Sequence, residues 1–221
     1  MRRSSNFRIC TAYLVKRIKE TRVLKPVADI PESVYYYGHW INEGWLNEYK
    51  DIILPELSFK PIGDERNKRY EAAICNSYSV GLHIRRGDYV AINCEVSVKA
   101  VRQHINICKE HIPHPLSYFV FSDDIGWCRE NAQAMGLPED AVTYIEGNMD
   151  YENNYIDLQL MTMCRIIIGG SSAFSYIACL LNRTKNFFAA HAMFERSGKE
   201  LPPQIGRLDE FPLVINRNKS I

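Results

Sequence analysis

The sequence lacks a C-x-x-C pair, an excess of positive charge and a long apolar segment. Its seven cysteines are an odd number at irregular spacings, which argues against a disulfide framework and against a zinc knuckle. We expect them to be reduced, and most of them to lie in the core. The formal net charge of +1 provides no basic stripe, so we expect no nucleic-acid partner.

Nothing in the chain is long and apolar enough to span a bilayer as a helix, which takes about 20 residues. The longest candidate, IIIGGSSAFSYIACLL, is shorter and contains two glycines, three serines and a tyrosine. The start, MRRSSNFRIC, is basic but is not followed by the apolar region of a signal peptide. The sequence predicts a protein without a transmembrane segment.

From residue 78 onward, short apolar runs alternate with helical patterns. The runs YSVGLHI, SYFVFS, AVTYI, RIIIG and KNFFAA predict strands. The segments 96 to 111, SDDIGWCRENAQAMG, YIDLQLMTMC and SSAFSYIACLLN predict helices, the second with Ser122 or Asp123 as N-cap and Gly136 as its stop. This alternation predicts an α/β fold with a Rossmann-like, doubly wound parallel sheet.

The first 77 residues have a different pattern. SVYYYGHWINEGWLNEY is aromatic and predicts a helix that ends near Pro55. SFKPIGDERNKRYEA has the composition of a connecting segment, and the first 21 residues are compatible with a helix. We place the domain boundary between residues 60 and 75.

Polar residues follow the predicted strands at their carboxyl ends, where open parallel sheets bind ligands. Each of three groups begins at the end of one of the runs YSVGLHI, SYFVFS and RIIIG and continues beyond it. In order they are His83, Arg85, Arg86 and Asp88; Ser122, Asp123 and Asp124; and Gly169, Gly170, Ser171 and Ser172.

Two interpretations of the paired arginines remain open. Arginine presents a planar fork that matches a phosphate, so Arg85 and Arg86 are candidates for binding a diphosphate. Alternatively they form an internal network with the aspartates, and both can hold together, because carboxylates orient the arginines of phosphate sites. The glycines and serines after RIIIG suit a phosphate or ribose, but a turn alone can require them. Ser122 can be no more than a cap.

The SDD segment also has a metal interpretation, since carboxylates hold Mg²⁺ beside diphosphates. Adjacent aspartates that open a helix point in different directions, and two arginines can neutralise a diphosphate. We therefore expect neither a metal nor another cofactor.

Three segments together resemble the signature blocks of the alpha-1,2-fucosyltransferases. They are HIRRGDY at 83 to 89, FSDDIGWCREN at 121 to 131 and DLQLMTMCRIIIGGSSAFSYIACLLN at 157 to 182. Their order and spacing agree with the family, and the similarity covers about residues 35 to 195. The arginine block is shared more loosely with alpha-1,6- and protein O-fucosyltransferases.

The resemblance implies a GT-B-type fold of two facing Rossmann-like domains. Residues 71 to 221 would form the GDP-fucose-binding domain, and residues 1 to 70 a shortened acceptor-side domain with its linker. The implied reaction moves fucose from GDP-fucose to the 2-hydroxyl of a terminal galactose, with inversion and without a metal. The expected setting is the bacterial cytoplasm, and a peripheral position at the inner face of the membrane is compatible with it.

The resemblance also implies residue roles. His83 and Arg85 would contact the diphosphate, supported by Arg86 and Asp88. Asp157 would meet the guanosine, and Asp123 and Asp124 would orient the arginines. The remaining donor-site residues are Ser122 beside the aspartates, and Ser171, Ser172 and Phe174 at the helix N-terminus.

The chain departs from the family in two places. The usual paired tryptophans of SSFSWWGAWLN are replaced by Tyr176 and Ile177. The glycine-rich opening GGLGNQMFQYA has no counterpart, so we expect a truncated or shortened member. Inversion also requires a general base, for which Glu95 and Asp88 are the candidates.

Two alternatives remain beside the transferase. A catalytically inactive remnant that still binds GDP or a GDP-sugar would explain the missing opening and the unnamed base. A fucosyltransferase acting on protein or chitin-like acceptors is permitted by the arginine block but disfavoured by the SDD and SSAFS blocks.

Overall fold

The computed structural model describes residues 16–19, 34–37, 43–91, 95–170, 172–182, 189–191, 195–196 and 199–200. The chain divides into two compact units between Ser58 and Phe59. This division precedes the predicted boundary, and the assignment of donor and acceptor roles to the two parts stays a prediction. None of the described helices is long and apolar enough to cross a membrane.

The first unit contains two short parallel strands, β1 (Lys16–Lys19) and β2 (Val34–Tyr37), and the helix α1 (Glu43–Glu56). The predicted helix ending near Pro55 is confirmed. The helix considered for the first 21 residues is wrong at Lys16–Lys19, where pairing with β2 overrides local propensity. The rest of that segment lies outside the described residues.

A five-stranded sheet with the order β5-β4-β3-β6-β7 forms the centre of the second unit. All four pairings are parallel. Its strands are β3 (Tyr78–Ile84), β4 (Leu116–Ser122), β5 (Val142–Tyr144), β6 (Ile166–Gly169) and β7 (Ala189–His191). Only the end of the predicted KNFFAA strand lies among the described residues. A small antiparallel pair follows, β8 (Glu195–Arg196) with β9 (Lys199–Glu200).

Helices cover both faces of this sheet, which is the predicted doubly wound α/β fold. They are α2 (Glu65–Cys75), α3 (Gly87–Ala91), α4 (Val98–His111), α5 (Ile125–Glu130), α6 (Ala132–Met135), α7 (Asn154–Met161) and α8 (Ala173–Leu180), and a 3₁₀ turn spans Glu139–Ala141. The helix α2 occupies part of the predicted connecting segment. Its pattern is weakly apolar, but Asp64 caps it by accepting a hydrogen bond from the Asn67 amide.

Alternation along the strands separates two apolar clusters. Val80, Leu82 and Ile84 of β3 face the cluster that contains residues of α4, α5 and α6. Phe119 and Phe121 of β4 face the opposite cluster, which contains residues of α2, α7 and α8. The period of two therefore places the intervening His83 on the α7 and α8 face.

The helix predicted from SDDIGWCRENAQAMG is two helices, and its N-cap differs from the two residues expected. Asp124, rather than Ser122 or Asp123, is the N-cap of α5, because its carboxylate accepts a hydrogen bond from the Trp127 amide. Asn131 separates α5 from α6. Gly136 ends α6 at φ +81°, as predicted from the left-handed conformation that glycine tolerates.

Candidate functional site

The topology defines one crevice at the carboxyl edge of the sheet. From β3 the chain proceeds to β4 and β5 on one side and then returns to β6 and β7 on the other. The loops after β3 and β6 therefore leave in opposite directions, and ligands of doubly wound sheets bind at such a switch point. The arginine block and the glycine-serine turn lie at this crevice.

Arg85 is held by two carboxylates and still reaches solvent. Its Nη1 lies 2.8 Å from Asp123 Oδ2. Its Nε and Nη2 donate to Asp88 Oδ1 at 3.1 and 2.8 Å. With 41% of the side chain exposed, the guanidinium is oriented by the protein and accessible to an anion.

Arg86 is more enclosed and lies over an aromatic ring. Its guanidinium carbon is 3.8 Å from the centroid of the Trp127 ring, and its Nε is 3.3 Å from Asp124 Oδ2. Asp123 Oδ1 also accepts the backbone N–H of Arg86 at 2.8 Å. The predicted network of arginines and aspartates is therefore present, and Asp123 contacts both arginines.

Gly87 is required by this network, a role that the sequence alone did not indicate. A Cβ built on Gly87 would lie 2.6 Å from Asp123 Oδ2. A side chain here would displace the carboxylate that holds Arg85. The glycine of RRGD therefore allows Asp123 to approach the loop closely.

His83 is buried and lacks a hydrogen-bond partner for Nδ1 among the described residues. Its ring stacks on Phe174 with centroids 5.3 Å apart and planes at 29°. Burial lowers the pKa of His83 to about 4, so the imidazole is neutral near pH 7. A neutral ring can donate one hydrogen bond and accept another.

Ser122 serves the loop rather than the open crevice. The residue is buried, and its Oγ accepts the Asp124 N–H at 3.0 Å. This bond holds the backbone between β4 and the Asp124 cap. Ser122 is therefore not the predicted helix cap, although its hydroxyl bonds the backbone N–H of the residue that is.

The hydroxyls of Ser172 and Ser175 hold the turn after β6. Of these two, Ser172 but not Ser175 was predicted from the sequence as a site residue. Ser172 caps α8 by accepting the Phe174 N–H at 3.2 Å. The buried Ser175 hydroxyl lies 3.0 Å from the carbonyl oxygens of both Gly170 and Ser172. Ser171 lies outside the described residues.

Glu95 lies beside the same turn. A Cβ built on Gly170 would be 2.7 Å from Val96 Cγ2, so the chain at Glu95 and Val96 packs closely on the end of β6. Glu95 Oε2 is buried and accepts no hydrogen bond from the residues that the structure describes. The other candidate base, Asp88, is bound to Arg85.

Asp157 lies in the first turn of α7 and accepts a hydrogen bond from Asn148 Nδ2 at 2.7 Å. Burial raises the pKa of Asp157 to about 6. Asn148 in turn contacts Arg66 and Asn67. The sequence patterns did not single out Asn148, Arg66 or Asn67. The two asparagines do not stand out because this residue is common in loops and at helix starts.

Taken together, the crevice presents two guanidinium groups, a neutral imidazole and the N-terminus of α8. Such a set favours an anionic ligand. Within the described part of the chain, no three histidine, cysteine, aspartate or glutamate residues come together as metal ligands. Asp123 and Asp124 instead contact arginines.

Comparison with known proteins places the chain among glycosyltransferases. An alpha-1,2-colitosyltransferase from Escherichia coli is 33% identical over 174 residues, which are 73% of this chain and 56% of that protein. The O-antigen biosynthesis glycosyltransferase WbnK from Escherichia coli is 31% identical over 153 residues, which are 62% of this chain and 47% of that protein. The chain spans about half the length of these curated relatives.

Among the solved structures that match part of the chain are two of fucosyltransferases. The Se-Met fucosyltransferase NodZ from Bradyrhizobium matches with 22% identity and a TM-score of 0.39, over 52% of this chain and 40% of that chain. The NodZ alpha-1,6-fucosyltransferase co-crystallized with GDP matches with 22% identity and a TM-score of 0.37, over 52% and 40%. The family predicted from the three signature blocks is confirmed by the sequence match, which covers residues 12–199, and the chain belongs to glycosyl transferase family 11.

Proposed function

We propose that the protein transfers L-fucose from GDP-fucose to the 2-hydroxyl of a terminal galactose, with inversion and without a metal. The observation that carries this proposal is the guanidinium of Arg85, oriented by Asp88 and Asp123 at the switch point and still open to solvent. A sugar nucleotide places its diphosphate at such a position. Family membership supports glycosyl transfer as the reaction.

The chemistry we propose follows from the charges at the crevice. The galactose 2-hydroxyl oxygen attacks the anomeric carbon of fucose as the bond from that carbon to the β-phosphate oxygen breaks. Negative charge then grows on the leaving GDP. Arg85 stabilises this charge, and Arg86 supports Arg85. Preorganised donor groups of this kind lower the activation barrier by about 3 to 4 kcal/mol.

The acceptor hydroxyl must lose a proton to a base, and we assign this role to Glu95. Its Oε2 is shielded and accepts no hydrogen bond from the described residues, whereas Asp88 Oδ1 already accepts two from Arg85. Glu95 also adjoins the turn after β6 through Val96. In this proposal Asp88 supports Arg85 and does not move a proton.

The acceptor we propose is a galactose-terminated glycan that is a precursor of a cell-surface polysaccharide, modified in the bacterial cytoplasm. The name of the O-antigen biosynthesis glycosyltransferase WbnK supports this setting. The name of the alpha-1,2-colitosyltransferase supports the alpha-1,2 linkage. It also makes a colitosyl group the competing sugar in the donor pocket.

Titration calorimetry of the purified chain in EDTA tests the donor site. We expect GDP-fucose to bind, and Arg85→Ala to weaken binding about 10- to 100-fold because it removes a charge-assisted hydrogen bond worth about 1.5 to 3 kcal/mol. Arg165→Ala is the matched control, since Arg165 precedes β6 at the opposite edge of the sheet. Equal binding by both variants would contradict the proposal.

A transfer assay with galactosides separates a transferase from a protein that only binds GDP. We expect Glu95→Gln to retain donor affinity and to lose turnover. GDP-linked colitose, run beside GDP-fucose, identifies the preferred sugar, and protein or chitin-like acceptors run beside galactosides identify the acceptor. Binding without turnover on any acceptor would support the inactive remnant instead.

A further inference from the structure

Two buried asparagines at the carboxyl edge form a reciprocal amide pair. Asn67 Nδ2 donates to Asn148 Oδ1 at 2.9 Å, and Asn148 Nδ2 donates to Asn67 Oδ1 at 2.9 Å. Both residues are almost completely buried, at 0% and 1% exposed. Asn148 follows β5, and Asn67 lies in the first turn of α2, so the pair joins a loop to a helix.

Every hydrogen-bonding position of the Asn148 side chain is used. Its Oδ1 also accepts a bond from Arg66 Nη2 at 3.1 Å, and its Nδ2 also donates to Asp157 Oδ1 at 2.7 Å. Reversing the amide would place Nδ2 against the guanidinium of Arg66 and Oδ1 against a carboxylate. The orientation of Asn148 is therefore fixed by its neighbours.

This network ends on one carboxylate oxygen. Among the described residues, Asp157 Oδ1 accepts the Asn148 bond and Oδ2 accepts none. Asp157 stands in the first turn of α7, on the sheet face that also carries His83 and Phe174. The buried amide pair thus holds the partly buried carboxylate of Asp157 at the edge of the sheet where the arginines lie.

The chemistry of this acceptor selects among nucleobases. Guanine presents an N1–H and an exocyclic amino group side by side, which a fixed carboxylate can accept together. Adenine has no N1–H, and hypoxanthine has N1–H without the amino group. A carboxylate that rotates freely discriminates less, because it must be ordered when guanine binds, whereas adenine does not engage it.

We infer that Asn148, fixed by Asn67 and Arg66, is a positioning residue that holds the Asp157 carboxylate for the paired N–H groups of guanine. This inference rests on the proposed function, since it concerns the base of the same nucleotide. Asn148 thereby sets the preference for guanosine over adenosine diphosphates. The arginines bind the phosphates of both nucleotides alike.

Calorimetric titration with GDP, IDP and ADP tests this inference. We expect the unchanged protein to bind GDP more tightly than ADP, with IDP between them. Asn148→Ala should weaken GDP binding about tenfold, the loss of one charge-assisted bond, and leave ADP binding unchanged. The ratio of the two affinities should fall accordingly.

Three further variants keep the test decisive. Thr162→Val removes a buried hydrogen bond at the other end of α7, so it should lower stability without changing the ratio. Arg85→Ala should weaken GDP and ADP binding by the same factor. Asp157→Asn should by itself abolish the preference for GDP over ADP. Adding Asn148→Ala to Asp157→Asn should not change the ratio of the two affinities further. This double variant also tests the role of Asn148 if Asn148→Ala alone does not fold.

The outcomes separate this inference from the proposed function. A folded Asn148→Ala protein with an unchanged ratio, or a further fall of the ratio in the double variant, would overturn the positioning role. GDP binding that depends on Arg85 but shows no preference over ADP would overturn the inference and leave the proposed function standing. Absence of any nucleotide binding would overturn the proposed function itself.

Discussion

Some residues at this site are constrained by close packing although they have no functional group of their own. Gly87 is the clearest case, because a Cβ built there would press on Asp123 and would lie only in ordinary contact, at 3.7 Å, with Arg85 Nη2. The interaction passes through Asp123, whose Oδ2 contacts Arg85 and would meet a new Cβ at 2.6 Å. The residue that limits anion binding is then a glycine.

Gly87→Ala should weaken binding of GDP about tenfold, because a displaced Asp123 no longer orients the Arg85 guanidinium. Stability should change little, since Gly87 is exposed. Calorimetric titration and thermal unfolding check both expectations. Gly63→Ala is the control, because no atom lies within 4 Å of a Cβ built there; equal affinities of the two variants would argue against this route.

At the scale of elements, the Ser175 hydroxyl holds the turn between β6 and α8 together with the cap that Ser172 provides. Ser175 reaches back from α8 to the carbonyl oxygens of Gly170 and Ser172. A Cβ built on Gly169 would lie 2.6 Å from the Ser175 Cβ. The strand and the helix therefore pack so closely that only a glycine fits at the end of β6.

Ser175→Ala should lower the free energy of unfolding by about 1 to 2 kcal/mol, because it removes the Ser175 donor from the Gly170 carbonyl oxygen, whereas the Ser172 carbonyl keeps its bond from the Tyr176 N–H. The melting temperature should fall by about 2 to 8 °C. Ser77→Ala provides the comparison, since the Ser77 hydroxyl also bonds two carbonyl oxygens, those of Ala73 and Ile74, at the opposite edge of the sheet. A drop in GDP affinity for Ser175→Ala alone would tie the turn to the site, and equal affinities would separate them.

The spacing of apolar residues predicted the strands and helices that have a complete apolar face. It did not predict those elements, or ends of elements, that are determined by individual side-chain contacts. The strands β3, β4 and β6 are continuous apolar runs, because both faces of a parallel sheet are covered. The helix α2 was missed because five of its eleven residues are charged and its start depends on the Asp64 cap. The N-cap of α5 was predicted one or two residues too early, since Ser122, Asp123 and Asp124 are all good caps and only the fold distinguishes them.

The charged residues of the candidate site could be predicted from the sequence. The polar residues that hold the site in place through hydrogen bonds could not. Arg85, Arg86 and the two aspartates stand out because buried strands seldom end in such a group. Asn148 and Ser175 do not stand out, since asparagine and serine are ordinary in loops and helix starts. Their importance comes from partners that are distant in the sequence, such as Asn67 for Asn148.

At the scale of the whole molecule, two buried groups give the stability opposite dependences on pH. Burial lowers the pKa of His83 from 6.5 to about 4, so folding loses about 3 kcal/mol as the pH falls through this interval. Burial raises the pKa of Asp157 from 3.8 to about 6, so protonation of the folded state favours folding as the pH falls from about 6 toward 3.8. The two effects partly cancel.

Replacing either His83 or Asp157 should leave the pH dependence of stability that the other residue causes. His83→Gln should lose less stability than the unchanged protein between pH 7 and 4.5, and Asp157→Asn should lose more. Urea unfolding at the two pH values measures this, and the remaining carboxylates, such as Asp64 and Asp150 with their lowered pKa values, are common to all three proteins. The same pH dependence in all three would show that neither group titrates as its burial implies.

The stacking of Arg86 on Trp127 also gives the second unit an optical reporter. Of the three tryptophans in the sequence, Trp127 is the one within residues 59 to 221. Its indole lies 3.8 Å from a guanidinium carbon, and a cation at that distance perturbs the excited state of the ring. An anion that draws Arg86 away would change the emission, so occupancy of the crevice can be followed by light, without a label and without turnover.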